Sequence, residues 1–318
     1  MILFVSFLLL YIMILLGNLL ILSLVTSTKN LQSPIYIFLC SLSLSEIMFT
    51  TNLIPMFLQI LLSNGSRMYI NYCLAQFYLC ASLGANECFL FAIMSYDRYI
   101  AICNPLHYAS IMNLNFCIEL IVYSWAGGFM SMLCTLIMVC QLNFCGPKTI
   151  EHFFCDFAPL MSLSCSDTFA VKMETFLISS SVTIFPFGFV IGTYVCIIKT
   201  ILKIPTSNGR HKTFSTCSSH LTSVCTYYGT LIIIYVLPVQ SLSSFNKVVS
   251  LIYTVITPLL NPIIYSLRNR EIKAALQKKI KIFFGMAEFS SCCCSAEFWY
   301  RKKIRKTRAA STAGKMEA

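Results

Sequence analysis

Charge is what this sequence is short of. Only 11% of its 318 residues are Asp, Glu, Lys or Arg, against about 25% in an ordinary soluble domain. A soluble fold of this length needs more charged surface, so a soluble enzyme, a disordered chain and a nucleic-acid binder are excluded. Histidine is scarce as well: His107, His152, His211 and His220 are the four. None belongs to a His-Glu-x-x-His pattern, and no Gly-rich phosphate loop follows a strand. The chain therefore carries no catalytic constellation, and no cofactor is expected. It also has no internal repeat with paired broken helices, the pattern that would favour a small transporter or channel using Glu46, Glu87 and His220 as a polar path.

What fills the sequence is apolar. Hydrophobic residues make up 57%, and the mean hydropathy is +0.76. A membrane helix needs about 20 mostly apolar residues, and seven segments qualify. They are Leu3 to Val25, Ile35 to about Leu62, about Cys73 to Cys103, roughly Cys117 to Leu142, Phe176 to Ile198, about Cys217 to Pro238, and Val248 to Leu267. The apolar runs are continuous rather than alternating, so they predict helices and not barrel strands. The first lacks a basic leader and a small-residue cleavage site, and reads as a retained helix rather than a secretory signal.

The basic residues orient these spans. With the N-terminus outside, the cytoplasmic stretches hold Lys29, Arg98, Lys199, Lys203, Arg210, Lys212, Arg268, Arg270 and the lysines from Lys273 to Lys281. The outside keeps only Arg67, Lys148, Lys172 and Lys247. Excess Lys and Arg marks the cytoplasmic side, which places the N-terminus outside and the C-terminus inside. The external segments then contain Cys73, Cys145, Cys155 and Cys165. Disulfides are allowed there, and four cysteines permit three connectivities. A disulfide role for Cys155 outweighs a metal site made with His152 and Asp156, so no metal is expected. Asn64 begins the one N-x-S/T sequon, in the first external loop but close to the bilayer.

A few residues do not belong in lipid. Glu46, Glu87, Asp97 and Arg98 lie in or at the ends of the spans, where ionisable groups usually face the bundle interior. At 100° per residue Cys80, Gly84, Glu87 and Arg98 fall within about 40° of one helix face. That stripe places the third helix at the bundle centre. Glu46 and Glu87 form either a shared hydrated or ion site or two separately hydrogen-bonded carboxyls. Tyr228, Leu231, Ile232 and Tyr235 form a stripe on the sixth helix, which is either a ligand-pocket wall or ordinary interhelical packing. Pro186, Pro238, Pro258 and Pro262 can kink or end helices.

Several stretches read together. Gly17-Asn18 lies in the first helix, and Ser33-Pro34-Ile35-Tyr36 opens the second. The third ends in Met94-Ser95-Tyr96-Asp97-Arg98-Tyr99-Ile100-Ala101-Ile102-Cys103, followed by Pro105-Leu106-His107-Tyr108. The long external loop holds His152-Phe153-Phe154-Cys155-Asp156 and Leu163-Ser164-Cys165. The sixth opens with Lys212-Thr213-Phe214-Ser215-Thr216-Cys217-Ser218-Ser219-His220, and the seventh gives Pro258-Leu259-Leu260-Asn261-Pro262-Ile263-Ile264-Tyr265. In this order the set resembles the olfactory (odorant) receptors of the tetrapod-type group, within the rhodopsin-like G-protein-coupled receptors, over residues 1 to 282.

The resemblance implies an all-α membrane protein with a seven-helix bundle, and roles position by position. Arg98 beside Asp97 and Tyr99 looks like the arginine that meets the G protein when the sixth helix swings out. Tyr194 and Tyr265 look like the tyrosines that repack around it, with Lys212, His220, Asn261 and Pro262 in the same machinery. Asn18, Glu46, Glu87 and Asn261 match a polar network. Cys73 with Cys155 looks like the helix-to-loop disulfide, and Cys145 with Cys165 like the extra bridge in the long loop. Odorant-pocket positions would be Cys80, Ala81, Gly84, Ala85, Ile178, Val182, Tyr228, Leu231, Ile232 and Tyr235. That set is mainly apolar and uncharged, which implies a small hydrophobic odorant with Tyr228 as the residue that senses it. The implied partners are the odorant, a stimulatory olfactory-type G protein that raises cyclic AMP, and the lipid bilayer, with no nucleic acid.

The sequence departs from the family pattern in places. Glu46 stands where Asp is usual, Ser95 where Ala is usual, and Thr193 where Ser is usual before Tyr194. The chain begins almost inside the first helix, without the usual external sequon, which makes surface delivery a separate question and retention in the endoplasmic reticulum an alternative. A chemoreceptor outside the nose is another, because tissue is not encoded. Family members usually end soon after a short basic helix near 270 to 282, whereas here residues 283–318 follow. This segment reads as a disordered tail without a role; its functional alternative is palmitoylation of Cys292, Cys293 and Cys294 beside a basic patch on anionic lipid.

Overall fold

The long apolar runs become helices, because a helix satisfies every backbone N–H and C=O internally where no water is available. In chain order they are α1 (Ile2–Ser27), α2 (Pro34–Ser63), α3 (Ile70–Cys103), the short α4 (Tyr108–Ile111), α5 (Leu114–Cys140), the short α6 (Phe157–Ser162), α7 (Phe169–Leu202) and α8 (Ser207–Leu231). A π-helical turn, Ile252–Ile256, then leads into α9 (Thr257–Arg268). The computed structural model describes residues 1–28, 31–63, 65, 68–145, 150, 153–233, 251–268 and 271–280, with the backbone alone at 208, 211–216, 219, 252 and 265–268. Asn64, His152, Tyr235, Pro238 and Cys292 to Cys294 lie outside the described residues, as do the side chains of Lys212 and Tyr265. The chain divides into two units, Met1–Asn269 and Arg270–Ala318; in the second, residues 271–280 are helical.

Among the described residues five helices, α1, α2, α3, α5 and α7, are long and apolar enough to cross a membrane. Most helices start slightly before their apolar runs, and two start well before them. α7 begins at Phe169 rather than Phe176, taking in Lys172 and Glu174, and α8 begins at Ser207 rather than Cys217. Both extensions carry charged residues, which place them outside an uninterrupted apolar run.

Polarity is inverted relative to a soluble fold. Large apolar side chains face outward, Leu16 at 62% and Phe185 at 75% exposure among them. Glu46, Asn86, Glu87 and Asp97 are buried instead. Such an outer surface is unfavourable in water and suits hydrocarbon. The chain is thus a helical membrane bundle.

At its centre lies α3, in contact with α2, α5, α7 and α8, while α1 packs on α2 and α9. Gly128 lets α5 come close to α3. A Cβ there would lie 2.7 Å from the Ser82 carbonyl oxygen and 2.8 Å from the Asn86 nitrogen, so α5 rests directly on the α3 backbone. Hydrogen bonds between spans fix the register. Asn52 and Gln76 each donate to the other's carbonyl, at 3.0 and 2.9 Å. Trp125 Nε1 donates to Ser41 at 2.9 Å, and Asn86 donates to Ser45 at 3.2 Å.

The segment after α5 is pinned across the outer end of the bundle. Of the three connectivities, the fold takes Cys73–Cys155 and Cys145–Cys165, with Cα–Cα separations of 5.4 and 5.7 Å, inside the range a disulfide requires. The second bridge sits on an antiparallel pairing of Phe144 with Ser164. The first is reinforced by Gln76, whose Oε1 accepts from the Cys155 N–H at 3.0 Å. Leu160 and Met161 of α6 then bury against Phe77, Val139 and Val171.

Candidate functional site

Beneath that pinned segment lies a cavity. Its floor and one wall come from α3, through Phe77, Cys80, Ala81, Gly84, Ala85 and Cys88. The opposite wall is α7, with Thr175, Ser179, Val182 and Thr183. Met132 of α5, Leu231 of α8 and Tyr253 of the π-helical turn close the sides, and Cys155, Asp156 and Phe157 form the outer cover. The lining is apolar with a few hydroxyls on one wall, the composition of a small-molecule site.

Six of the expected pocket residues, Cys80, Ala81, Gly84, Ala85, Val182 and Leu231, stand in this lining, and Ile178, Tyr228 and Ile232 do not. Tyr228 is fully buried, and its hydroxyl donates to the Cys88 carbonyl at 2.7 Å. Its ring stacks on Phe187 with centroids 5.0 Å apart. Tyr228 is therefore a buried clasp between α8 and α3 rather than a wall of the cavity. Tyr227 beside it does the same, donating to the Gly84 carbonyl at 2.6 Å.

Tyr253 is the lining residue that no spacing in the sequence announces. It reaches the cavity from a π-helical turn, a wide turn that recurs at functional sites. Glycine at 84 leaves room for it, since a Cβ there would lie 2.6 Å from the Tyr253 hydroxyl and force it to shift. Thr175, Ser179 and Thr183 could have been found as a hydroxyl stripe at helical spacing in an otherwise apolar segment. Nor is the cavity free of charge. The Asp156 carboxylate stands at its outer cover, where it caps α6 by accepting from the Phe157 N–H at 2.8 Å.

At the other end of α3 lies a second cluster. Arg98 Nε donates to Asp97 at 2.9 Å, and the Tyr108 hydroxyl donates to the other Asp97 oxygen at 2.8 Å. Asp97 is fully buried, while the Arg98 side chain is 18% exposed. Tyr108 lies outside the spans, on α4; burial, with the nearby Asp97 carboxylate, pushes its phenol above the ordinary value. Tyr108 stands in one of the sequence motifs with no role implied there; the structure makes it the second partner of Asp97. Tyr99 instead stacks on Tyr96, with ring centroids 6.5 Å apart.

Tyr194 and His220 join α7 to α8. The Tyr194 hydroxyl lies 2.7 Å from His220 Nδ1, and the two rings stack at an interplanar angle of 14°. Between the two ends of α3 sits the polar core. Asn261 donates to Glu46, linking α9 to α2. Asn18 donates to Ile14 of its own helix at 3.2 Å and also faces Glu46. Glu87 lies on the same interior level, beside Ser45 and Tyr227. Pro262 packs where Gly17 leaves room, a Cβ at Gly17 falling 3.0 Å from the proline Cβ.

The comparisons with known proteins agree on one family. A family model described as olfactory receptor matches residues 7–282. Human Olfactory receptor 11L1 is 46% identical over 280 residues, which is 88% of this chain and 87% of that protein. Mouse Olfactory receptor 5P52 is 45% identical over 278 residues, covering 87% of this chain and 90% of the relative. Human Olfactory receptor 5P3 is 43% identical over 282 residues, or 88% and 91% of the two chains. A multi-pass helical bundle with a covered apolar cavity, matched along most of its length by these receptors, belongs to the olfactory receptor family and has that family's seven transmembrane helices.

Proposed function

We propose that this chain works at the cell membrane as an odorant receptor. It holds a small, mainly hydrophobic odorant in the cavity between α3, α7 and Tyr253, and it activates a stimulatory olfactory-type G protein, raising cyclic AMP. The observation that carries this reading is the cavity itself: apolar walls, three hydroxyl side chains along α7 and a covering loop held by a disulfide. Burial of about 200 Å² of apolar ligand surface contributes roughly 5 kcal/mol, before the costs of association are subtracted. The Asp156 carboxylate at the cover disfavours anionic ligands by like-charge repulsion.

The geometry supports a route from the ligand to the inner face. Gly84 and Cys88 line the cavity, and their carbonyls receive the hydroxyls of Tyr227 and Tyr228 on α8. A ligand that presses on these two residues changes how α8 is clasped to α3. Further along, α8 carries His220, which is held by Tyr194 of α7. Movement of α8 therefore rearranges the contacts around the inner end of α3, where Arg98 stands. A ligand shifts this equilibrium only by its difference in affinity between the two arrangements.

An odorant panel read by cyclic AMP, with surface staining in parallel, tests the assignment. Neutral odorants of low polarity are expected to raise cyclic AMP, and dicarboxylates are not. Ala81→Phe, which fills the cavity from the α3 wall, should raise the half-maximal concentration of the best agonist by about tenfold or more, a loss of roughly 1.4 kcal/mol. An unchanged dose–response curve at equal surface expression would place the odorant elsewhere.

A further inference from the structure

A second apolar space opens on the outer side of the bundle, and it shares a wall with the cavity. It is lined by Phe89 and Ala92 of α3 and by Val182, Phe185, Pro186 and Phe189 of α7. Val182 belongs to the lining of both spaces. The two lie in succession along one α3–α7 seam. On α3 the cavity residue Ala85 is followed one turn later by Phe89, about 6 Å along the axis. On α7 the cavity residues Ser179 and Val182 are followed by Pro186 and Phe189.

The outer space faces hydrocarbon. Phe185 is 75% exposed and Phe189 47%, and among the described residues no charged side chain lines the groove. Its hydroxyl, that of Ser181, donates back to Leu177 of its own helix at 2.7 Å. The partition between the two spaces is a weak point of α7. Pro186 has no N–H, so the Val182 carbonyl four residues earlier loses its helical donor. Space is also open nearby, since a Cβ at Gly188 would meet nothing within 4 Å. The side of the cavity that faces the water is built in the opposite way. Cys155 is bridged to Cys73 and bonded to Gln76, and Leu160 behind it is fully buried.

We propose that the α3–α7 groove is an entry site for the odorant itself, which reaches the cavity sideways from the bilayer past Val182. The inference rests on the odorant reading of the cavity. Its ligand class is a small neutral apolar molecule already dissolved in the membrane, where each buried methylene raises its concentration about fourfold over water. The groove is the loading position and the cavity the signalling position. Val182, half-buried between them, is the gate, and its rotation needs no movement of the disulfide-held cover.

The test uses the full chain in lipid nanodiscs and a short alkyl diazirine dissolved in the lipid as the probe. After rapid mixing the sample is photolysed at increasing delays, and labelled residues are located by mass spectrometry. Phe185 and Phe189 are expected to label first and Ser179 and Thr183 later. Ala92→Phe fills the groove without touching the cavity, and should slow labelling of Ser179 and Thr183 by about tenfold. Phe189→Ala widens the mouth and should speed it; this second variant decides the matter should the first fail to fold. Cavity labelling at the wild-type rate in a folded variant overturns the lateral route while leaving the odorant cavity in place. No labelling of Ser179 or Thr183 in the wild-type chain overturns both.

Discussion

Gly128→Val should empty the cell surface of folded receptor. Gly128 is the point where α5 rests on α3, and a Cβ would stand 2.7 Å from the Ser82 carbonyl oxygen and 2.9 Å from the Asn86 Cβ. The Ser82 carbonyl and the Asn86 nitrogen are backbone in the middle of the central helix, so no rotamer change relieves the clash. Overpacking of a well-packed core typically costs about 1–3 kcal/mol, and separating two backbones to admit a branched side chain belongs at or above the top of that range. The shift would also pull Asn86 from Ser45 and Trp125 from Ser41, two bonds that tie α2 to its neighbours. Gly188→Ala is the matched control. A Cβ there meets nothing within 4 Å, and alanine favours a helix by about 1 kcal/mol over glycine, so this variant should be neutral or slightly stabilising. Surface staining and the thermal midpoint of detergent-solubilised receptor measure both. Normal surface levels for Gly128→Val would show that α5 and α3 do not pack as described.

Arg98→Ala should abolish agonist-driven cyclic AMP while leaving the amount of receptor at the surface unchanged. The two halves of this expectation come from different atoms. Arg98 is partly exposed and pairs with Asp97. Asp97 is buried, yet in the variant it still receives the Tyr108 hydroxyl at 2.8 Å. The buried carboxylate thus keeps a partner, which limits the damage to the fold, while the cation that would meet the G protein is gone. Arg98→Lys should recover a fraction of the response, because lysine keeps the charge but not the planar fork of donors. Full cyclic AMP responses from Arg98→Ala at equal surface density would remove Arg98 from the proposed route.

The sequence reveals what depends on continuity and local order. Uninterrupted apolar runs announce α1, α2, α3, α5 and α7, because a spanning helix must be apolar along its whole length. The stripe of Gly84, Glu87 and Arg98 correctly puts α3 at the centre, since only a central helix can bury polar groups along so many turns. It fails where a helix continues past the hydrocarbon. Lys172 and Glu174 interrupt the apolar run, yet they extend α7, and Glu174 accepts from Thr135 at 2.9 Å. It fails again where direction depends on tertiary contact. Tyr228 shares a helical stripe with Leu231, but its hydroxyl turns to the Cys88 carbonyl while Leu231 faces the cavity. Tyr253 enters the wall through a π-helical turn, and a count of 3.6 residues per turn cannot anticipate a turn that does not obey it.

One dimension of the bundle has a consequence for the membrane around it. Helices α3 and α7 each run for 34 residues, about 51 Å at 1.5 Å per residue, whereas the hydrocarbon core is about 30 Å thick. Helices this long must lean or protrude, and the balance depends on the thickness of the bilayer that holds them. Asp97 and Arg98 begin about 40 Å from the start of α3, farther than the hydrocarbon core is thick, so tilt sets how far they reach toward the cytoplasm. Bilayers of different thickness are therefore expected to hold the same chain at different inclinations. Acyl-chain length in a reconstituted bilayer is expected to change the inclination of α3 and α7, separate from any ligand.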